Sequence, residues 1–307
     1  MQQIKNNLST AIPKTQMKLG RVHVPLDTDY IGVYLTNRCF LSCSYCITNY
    51  NEQFINVKGF RELEPAEWIE ALNRLELPPG IPITLQGGEP FIYKGIWDIL
   101  ENVRHKMDIL TALPPQVTPE RFKQLRTLDW NKRGAPYPTI RVSFHKGQND
   151  YKKLIERIKE LQPILSIGLF HIEHPAYPEL IAEIREYAQK EGVEFRTKTF
   201  LGVWQGKVCS EYKYPDACEG KVMRKNVQCK NTVFPIGPDG TVYRCHSDLY
   251  ASRKEVAVGN LLDPNLKMEH KHRNCAYFGT CIPCDVKVKT NHLQQHGYTS
   301  VDIIFED

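Results

Sequence analysis

Ten cysteines are the chemically loaded residues of this 307-residue chain, and their spacing splits them into two groups. Cys39, Cys43 and Cys46 form a Cys-x3-Cys-x2-Cys loop near the N-terminus. Three thiolates in so short a loop can ligate three irons of a cubane cluster and leave the fourth iron open. A zinc loop is the competing use, but a structural zinc needs a fourth ligand and usually takes pairs two to four residues apart. The other seven, Cys209, Cys218, Cys229, Cys245, Cys275, Cys281 and Cys284, lie in the last third. The interval without cysteine predicts two metal-bearing regions separated by a scaffold. Residues 1–25 mix Lys, Asn and Gln without an apolar run, so no secretory signal is read and a cytoplasmic location is expected. Thiols kept reduced there are metal ligands or reactive groups more often than a disulfide framework.

A second motif, Gly87-Gly88-Glu89-Pro90, follows an apolar run at 83–86. Glycines directly after a strand let backbone approach a ligand closely, and Glu89 offers an acceptor for an ammonium group. His145, His171, Glu173, His174, Arg196 and Lys198 fall at or near the ends of later strands. Charged groups on an inner strand are costly to bury unpaired, so these side chains are expected either to face a ligand cavity or to form a solvated rim. Arg196 and Lys198 alternate with Phe195 and Thr197, which puts both on one face, suited to a carboxylate or phosphate.

The elements that must position these groups alternate along residues 30–200. Apolar runs predict strands at 31–36, 83–86, 108–112, 139–145, 164–170 and 193–200. Helical periodicity predicts helices at 64–75, 96–107, 118–125, 151–161 and 178–190. Six alternations predict an α/β fold, a partial (β/α)6 parallel barrel with helices outside, whose chemistry sits at the C-terminal ends of the strands. Both motifs follow strands and fall on that rim. After about residue 205 the pattern changes to short strands, turns such as Pro238-Asp239-Gly240, and cysteines. The expected layout is an N-terminal extension at 1–28, a barrel at 29–205 and a small Cys-rich α+β domain at 206–307. No apolar run approaches the roughly 20 residues that span a bilayer. The net charge of +5, without a Lys/Arg run, excludes a strong nucleic-acid binder, so neither membrane nor nucleic acid is an expected partner.

Together the three-cysteine loop, with Tyr45 in its C-x3-C-x-aromatic-C pattern, and the Gly-Gly-Glu-Pro segment resemble the radical S-adenosylmethionine (radical SAM) superfamily over about residues 30–200. The resemblance implies that Cys39, Cys43 and Cys46 bind a 4Fe-4S cluster whose open iron is chelated by S-adenosylmethionine (SAM). Reduction by an external donor such as flavodoxin or ferredoxin would cleave SAM to a 5′-deoxyadenosyl radical, which abstracts a hydrogen atom from substrate. Tyr45 would meet the adenine, and Gly87, Gly88 and Glu89 the amino end. Ser143 matches the region that contacts the ribose or carboxylate; a strand-end hydroxyl capping the backbone is the plainer use.

Cys229, followed by Gly240-x4-Cys245 and by Cys281-x2-Cys284, is similar to the twitch and SPASM extensions of these enzymes. That similarity implies one auxiliary 4Fe-4S cluster on Cys229, Cys245, Cys281 and Cys284, with Cys275 able to replace one of them and zinc the alternative occupant. Cys209, Cys218 and Cys275 are left as hydrogen-atom donors to a substrate radical or as inert thiols. A small-molecule substrate, sugar-like in type, with oxidation or epimerisation as outcome, is expected. A peptide-modifying maturase and a non-catalytic Fe-S or zinc protein are the alternatives.

Overall fold

The apolar runs become strands of one sheet, because Ile-, Val- and Leu-rich segments buried under helices favour parallel pairing. The computed structural model describes residues 19–46, 61–200, 202–209, 211–214, 227–279, 285–288 and 299–306. Its main sheet contains six parallel strands laid down in chain order: β1 (Tyr30–Thr36), β2 (Ile83–Gly87), β3 (Met107–Thr111), β4 (Ile140–Ser143), β5 (Ile167–Glu173) and β6 (Phe195–Thr199). Each pairs with the next, from Ile31 opposite Ile83 to Glu173 opposite Thr199. Between them run α1 (Pro65–Asn73), α2 (Ile96–Asn102), α3 (Pro119–Lys123), α4 (Tyr151–Leu161) and α5 (Pro178–Lys190). Their starts are local. Pro65, Pro119 and Pro178 occupy first turns, the Thr118 side chain accepts from the Arg121 N–H, and Asp150 accepts from Lys152 and Lys153.

Right-handed crossovers between neighbours in chain order put the helices on one face. Ile31, Val33, Ile83, Leu85, Ile109, Ile140, Val142 and Leu169 of that face share one core with Trp68, Leu72, Ile99, Leu154, Ile158 and Ile184 of the helices. The alternate residues form the inner face, and the registers align Thr84 with Asp108, Leu110 with Arg141, Ser143 with Phe170, and Ile172 with Lys198. The sheet curls about this face, since Asp108 and Arg141 act electrostatically on both Tyr30 of β1 and Lys198 of β6.

Beyond β6, β7 (Gly202–Trp204) and β8 (Lys207–Cys209) form a hairpin. The strand β9 (Val227–Asn231) leads into β10 (Val233–Ile236), which joins the main sheet parallel to β1 with Val233 opposite Tyr30. Gly240, at φ +80°, turns the chain into β11 (Thr241–Val242), and α6 (His246–Tyr250) and β12 (Gly259–Asn260) follow, so the sheet reaches nine strands. Strand β13 (Arg273–Asn274), β9 and β14 (Val301–Phe305) make a separate antiparallel sheet over a small core of Val227, Phe278, Val286, Val301 and Ile303. The buried Arg74 guanidinium, just past α1, ties the segment before β1 to the turn after β12. It donates to the carbonyls of Gly20 at 2.6 Å, Leu261 and Asp263 at 2.9 Å, and Pro264 at 3.4 Å. Among the described residues no helix is long and apolar enough to cross a membrane.

Candidate functional site

β1 ends at Thr36, where the chain turns into the cysteine loop. Thr36 Oγ1 donates to Glu62 Oε1 at 2.5 Å and accepts from the Arg38 backbone N–H at 3.1 Å. The Arg38 guanidinium holds the same Glu62 at 3.0 and 3.2 Å. Cys39 is exposed and its sulfur accepts from the Leu41 N–H at 3.4 Å. Cys43 is buried and Cys46 half-buried, joined by a 3.1 Å hydrogen bond from the Cys46 N–H to the Cys43 carbonyl. The Ser42 N–H donates to Gln148 Oε1 at 2.9 Å, which pins the loop to the segment after β4. Burial pushes the Cys43 thiol up to about 12, and repulsion from Cys46 and Cys39 adds to it. Burial raises Cys39 as well. Burial and the neighbouring sulfurs thus oppose ionisation of Cys39 and Cys43, a donor set short of positive charge.

The glycine pair has a definite steric cause. A Cβ on Gly87, at φ +136°, would lie 2.2 Å from the Thr36 carbonyl oxygen, and one on Gly88 would lie 2.0 Å from that of Arg38. The Gly88 N–H donates to Thr36 and the Glu89 N–H to Arg38, each at 2.8 Å. The motif after β2 therefore clamps the stem of the cysteine loop after β1. Glu89, expected to receive an ammonium group, is 1% exposed and already engaged by the protein. Its Oε1 accepts from the Thr111 hydroxyl at 2.7 Å and the Phe91 N–H at 3.0 Å, and its Oε2 from the Ala112 N–H at 2.7 Å. Burial nonetheless pushes its carboxyl upward. In the same stem Asn37 Oδ1 is a buried acceptor with no hydrogen-bond partner.

Tyr45 stands where the ends of β4 and β5 meet the loop. Its hydroxyl is 3.1 Å from His145 Nδ1, and its ring centre is 5.3 Å from that of His174. His174 in turn stacks on Tyr177 and meets Phe200 and Trp204 edge-on. Burial pulls His145 down to about 4, helped by His171, so its imidazole is neutral at physiological pH. Ser143 shares the inner phase of β4 with Arg141, at the strand's C-terminal end. Arg196 and Lys198 share the inner phase of β6. His171 and Glu173 do not join them: alternating with Phe170 and Ile172, they fall on the other face. There His171 Nδ1 lies 3.1 Å from the Phe144 carbonyl, and Glu173 accepts from the Thr197 hydroxyl at 2.6 Å. Gln148, Glu62 and Thr111, which fix the two motifs, were invisible in the sequence because each acts across a strand-to-strand gap.

In the C-terminal region Cys229 of β9, Cys245 at the N-cap of α6 and Cys275 after β13 line one open pocket with Arg244, Asp248 and His270. A hydrogen bond from Cys229 pulls the Cys275 thiol down, and the Cys245 sulfur accepts from the Asp248 N–H at 3.3 Å. Cys275, the reserve ligand of the sequence reading, is thus gathered with Cys229 and Cys245. Cys218, Cys281 and Cys284 lie outside the described residues. Cys209 ends β8, its thiol 3.6 Å from the Lys207 carbonyl. Among the described residues no three His, Cys, Asp or Glu side chains converge on a site for a single metal ion.

The Radical SAM superfamily model matches residues 33–168, a span that starts inside β1, holds all three loop cysteines and the glycine clamp, and ends in β5. The chain carries a radical SAM domain. The GTP 3′,8-cyclases of Clostridium perfringens strains SM101 and 13 are 29% identical over 77 residues, which is 25% of this chain. The chain spans about a quarter of the length of these curated relatives, 23%. Among solved structures, anSMEcpe with bound AdoMet has a TM-score of 0.45 at 13% identity, covering 76% of this chain and 74% of that one. Streptococcus suis SuiB bound to S-adenosylmethionine has a TM-score of 0.39 at 13% identity, covering 81% and 63%. A radical SAM domain implies a 4Fe-4S cluster and SAM. The residues present fit both: three thiols in one short loop are a donor set that iron takes, and Asn37 Oδ1 is an unused acceptor in its stem.

Proposed function

We propose that this radical SAM enzyme acts on a small molecule, sugar-like in type, and oxidises or epimerises it with the help of one auxiliary 4Fe-4S cluster. The observation that carries the reading is the clamp of Gly87–Glu89 on the stem of the Cys39–Cys46 loop, inside the matched span and at the C-terminal ends of neighbouring strands. Cys39, Cys43 and Cys46 would hold three irons and leave the fourth for the amino and carboxylate groups of SAM. When bound and reduced by an external flavodoxin or ferredoxin, the cluster supplies the electron that splits SAM and so provides a 5′-deoxyadenosyl radical.

The chain's own side chains do the rest. Gly87 and Gly88 keep the loop stem within hydrogen-bonding distance of β2, and Glu89 fixes that turn onto β3. Asn37 offers its oxygen to an ammonium group. Tyr45, held by His145, presents a flat apolar ring to an adenine, and Ser143 faces the same interior. His174, packed against Tyr177, Phe200 and Trp204, backs the Tyr45 ring of the loop. The proposed layout is an extension at 1–28, a barrel at 29–205 and an auxiliary region at 206–307, the last lending β10 to β12 to the barrel sheet. Cys229, Cys245 and Cys275 are three of the auxiliary ligands, with the fourth from Cys281 or Cys284, in a twitch- or SPASM-like site. Cys209 and Cys218 stay as hydrogen-atom donors for an epimerisation. The name of the curated relatives, GTP 3′,8-cyclase, describes action on a small molecule and stands on the same side.

Incubating anaerobically reconstituted, reduced protein with SAM tests the reading. Formation of 5′-deoxyadenosine and about eight irons per chain support it. Failure to cleave SAM with clusters intact would return the chain to the non-catalytic alternative. About four irons would remove the auxiliary cluster.

A further inference from the structure

The inner face of the sheet carries more positive charge than it balances. Asp108 of β3 has no exposed surface and accepts four hydrogen bonds. Arg133 reaches Oδ1 and Oδ2 at 2.9 Å each, the Tyr137 hydroxyl donates to Oδ2 at 3.0 Å, and Arg141 Nη2 to Oδ2 at 3.2 Å. One carboxylate therefore serves two buried guanidinium groups, whose side chains are 8% and 5% exposed. Arg141 Nε is buried and makes no hydrogen bond, and Gln86 Nε2, on the same face of β2, is another buried donor without a partner.

Lys198 of β6 adds a third cation to this group. It is partly buried, leans over the Phe170 ring at 5.6 Å, and among the described residues has no carboxylate partner. Arg196, its neighbour in the same phase, differs in being paired with Glu194 at 2.6 Å. Burial, and after it the Arg141 guanidinium, pulls Lys198 down to about 7, and the Asp108 carboxylate, already shared by two guanidinium groups, offsets only part of this. Unpaired donors and net positive charge inside a protein are costly unless a ligand completes them.

We propose that this inner face is a subsite for an anionic group of the substrate, a carboxylate or phosphate, received by Lys198, with Arg141 held by Asp108 behind it and the Ser143 hydroxyl on the same face above. The proposal rests on the reading that the concave face of the sheet receives the substrate, and it specifies the chemical class that face selects.

The test is isothermal titration of the cluster-loaded full chain with inorganic phosphate and, separately, with acetate, on wild type, K198R and K198Q. Saturable binding to wild type, kept within about threefold by K198R and weakened at least tenfold by K198Q, is expected. The tighter of the two probes names the group. Affinity unchanged in K198Q, or no saturable binding of either probe, overturns the proposal. Loss of binding in the presence of saturating SAM also overturns it, because the subsite then belongs to the SAM carboxylate. Thermal unfolding gives an independent check. Removing an uncompensated cation should leave the K198Q midpoint equal to or above that of wild type, and a lower midpoint would mean that Lys198 is already paired. Binding is read without turnover, so its failure leaves the SAM-cleavage reading intact and the reverse also holds.

Discussion

Glu89 distinguishes a folding role from a ligand role within the Gly-Gly-Glu-Pro motif. Glu89→Gln keeps the shape but replaces one acceptor oxygen by an amide NH2. If the remaining oxygen stays on the Thr111 and Phe91 side, the NH2 opposes the Ala112 N–H; in the other orientation it opposes the Phe91 N–H and crowds Thr111. Either way at least one buried N–H loses its acceptor, which costs about 1–3 kcal/mol, and the others fall from charged to neutral strength, about 1 kcal/mol each. The expected loss is about 3–5 kcal/mol. At roughly 2–4 °C per kcal/mol for a chain of this size class, the melting midpoint should fall by about 6 °C or more. The assay is thermal unfolding by circular dichroism of anaerobic protein without SAM, with iron content matched between wild type and E89Q. A midpoint within about 1 °C of wild type, together with weaker SAM binding, would refute this reasoning and return Glu89 to the ligand role.

Gly88→Ala should be worse than an ordinary surface Gly→Ala change, because the added carbon meets the Arg38 carbonyl and must displace the cysteine loop. Iron retention after reconstitution, falling well below that of wild type while the far-ultraviolet spectrum is kept, is the expected reading. Arg74→Met leaves four backbone carbonyls without their donor and should destabilise the chain by about 2–4 kcal/mol in denaturant unfolding. For His145, whose folded value of about 4 lies below the ordinary 6.5, stability is fully present above pH 6.5 and is lost as pH falls from 6.5 towards 4. Wild type should lose about 2–3 kcal/mol more than H145Q across that window, measured by denaturant unfolding at fixed ionic strength.

The strand–helix alternation was legible because each strand is an apolar run closed by a turn, and each helix has its own start signal, as at Pro65, Thr118 and Asp150. The cysteine loop and the glycine pair were legible as spacings. What could not be read was the partner of each group. Glu89 finds Thr111 and Ala112 on the next strand, and Gln148 meets Ser42 across 106 residues. His171 and Glu173 lie near Lys198 in strand position but in the opposite phase, since period-two alternation puts them on the other face of the sheet. Strand β10 was hidden for a different reason. Its Pro235 lacks an N–H, and such a residue argues against an interior strand, yet β10 lies between β1 and β11.

That placement has a bearing on how the chain is made. Tyr30 and its partner Val233 are about 200 residues apart, so at about 5–20 residues per second the outer edge of β1 waits roughly 10–40 s for its neighbour during synthesis. For that interval the strand leading into the cysteine loop presents a row of open N–H and C=O groups, the surface on which nascent chains pair wrongly. Early iron loading of the loop, or a chaperone on β1, would guard the most exposed seam of the unfinished molecule, and a chain cut short before residue 233 would carry that seam permanently.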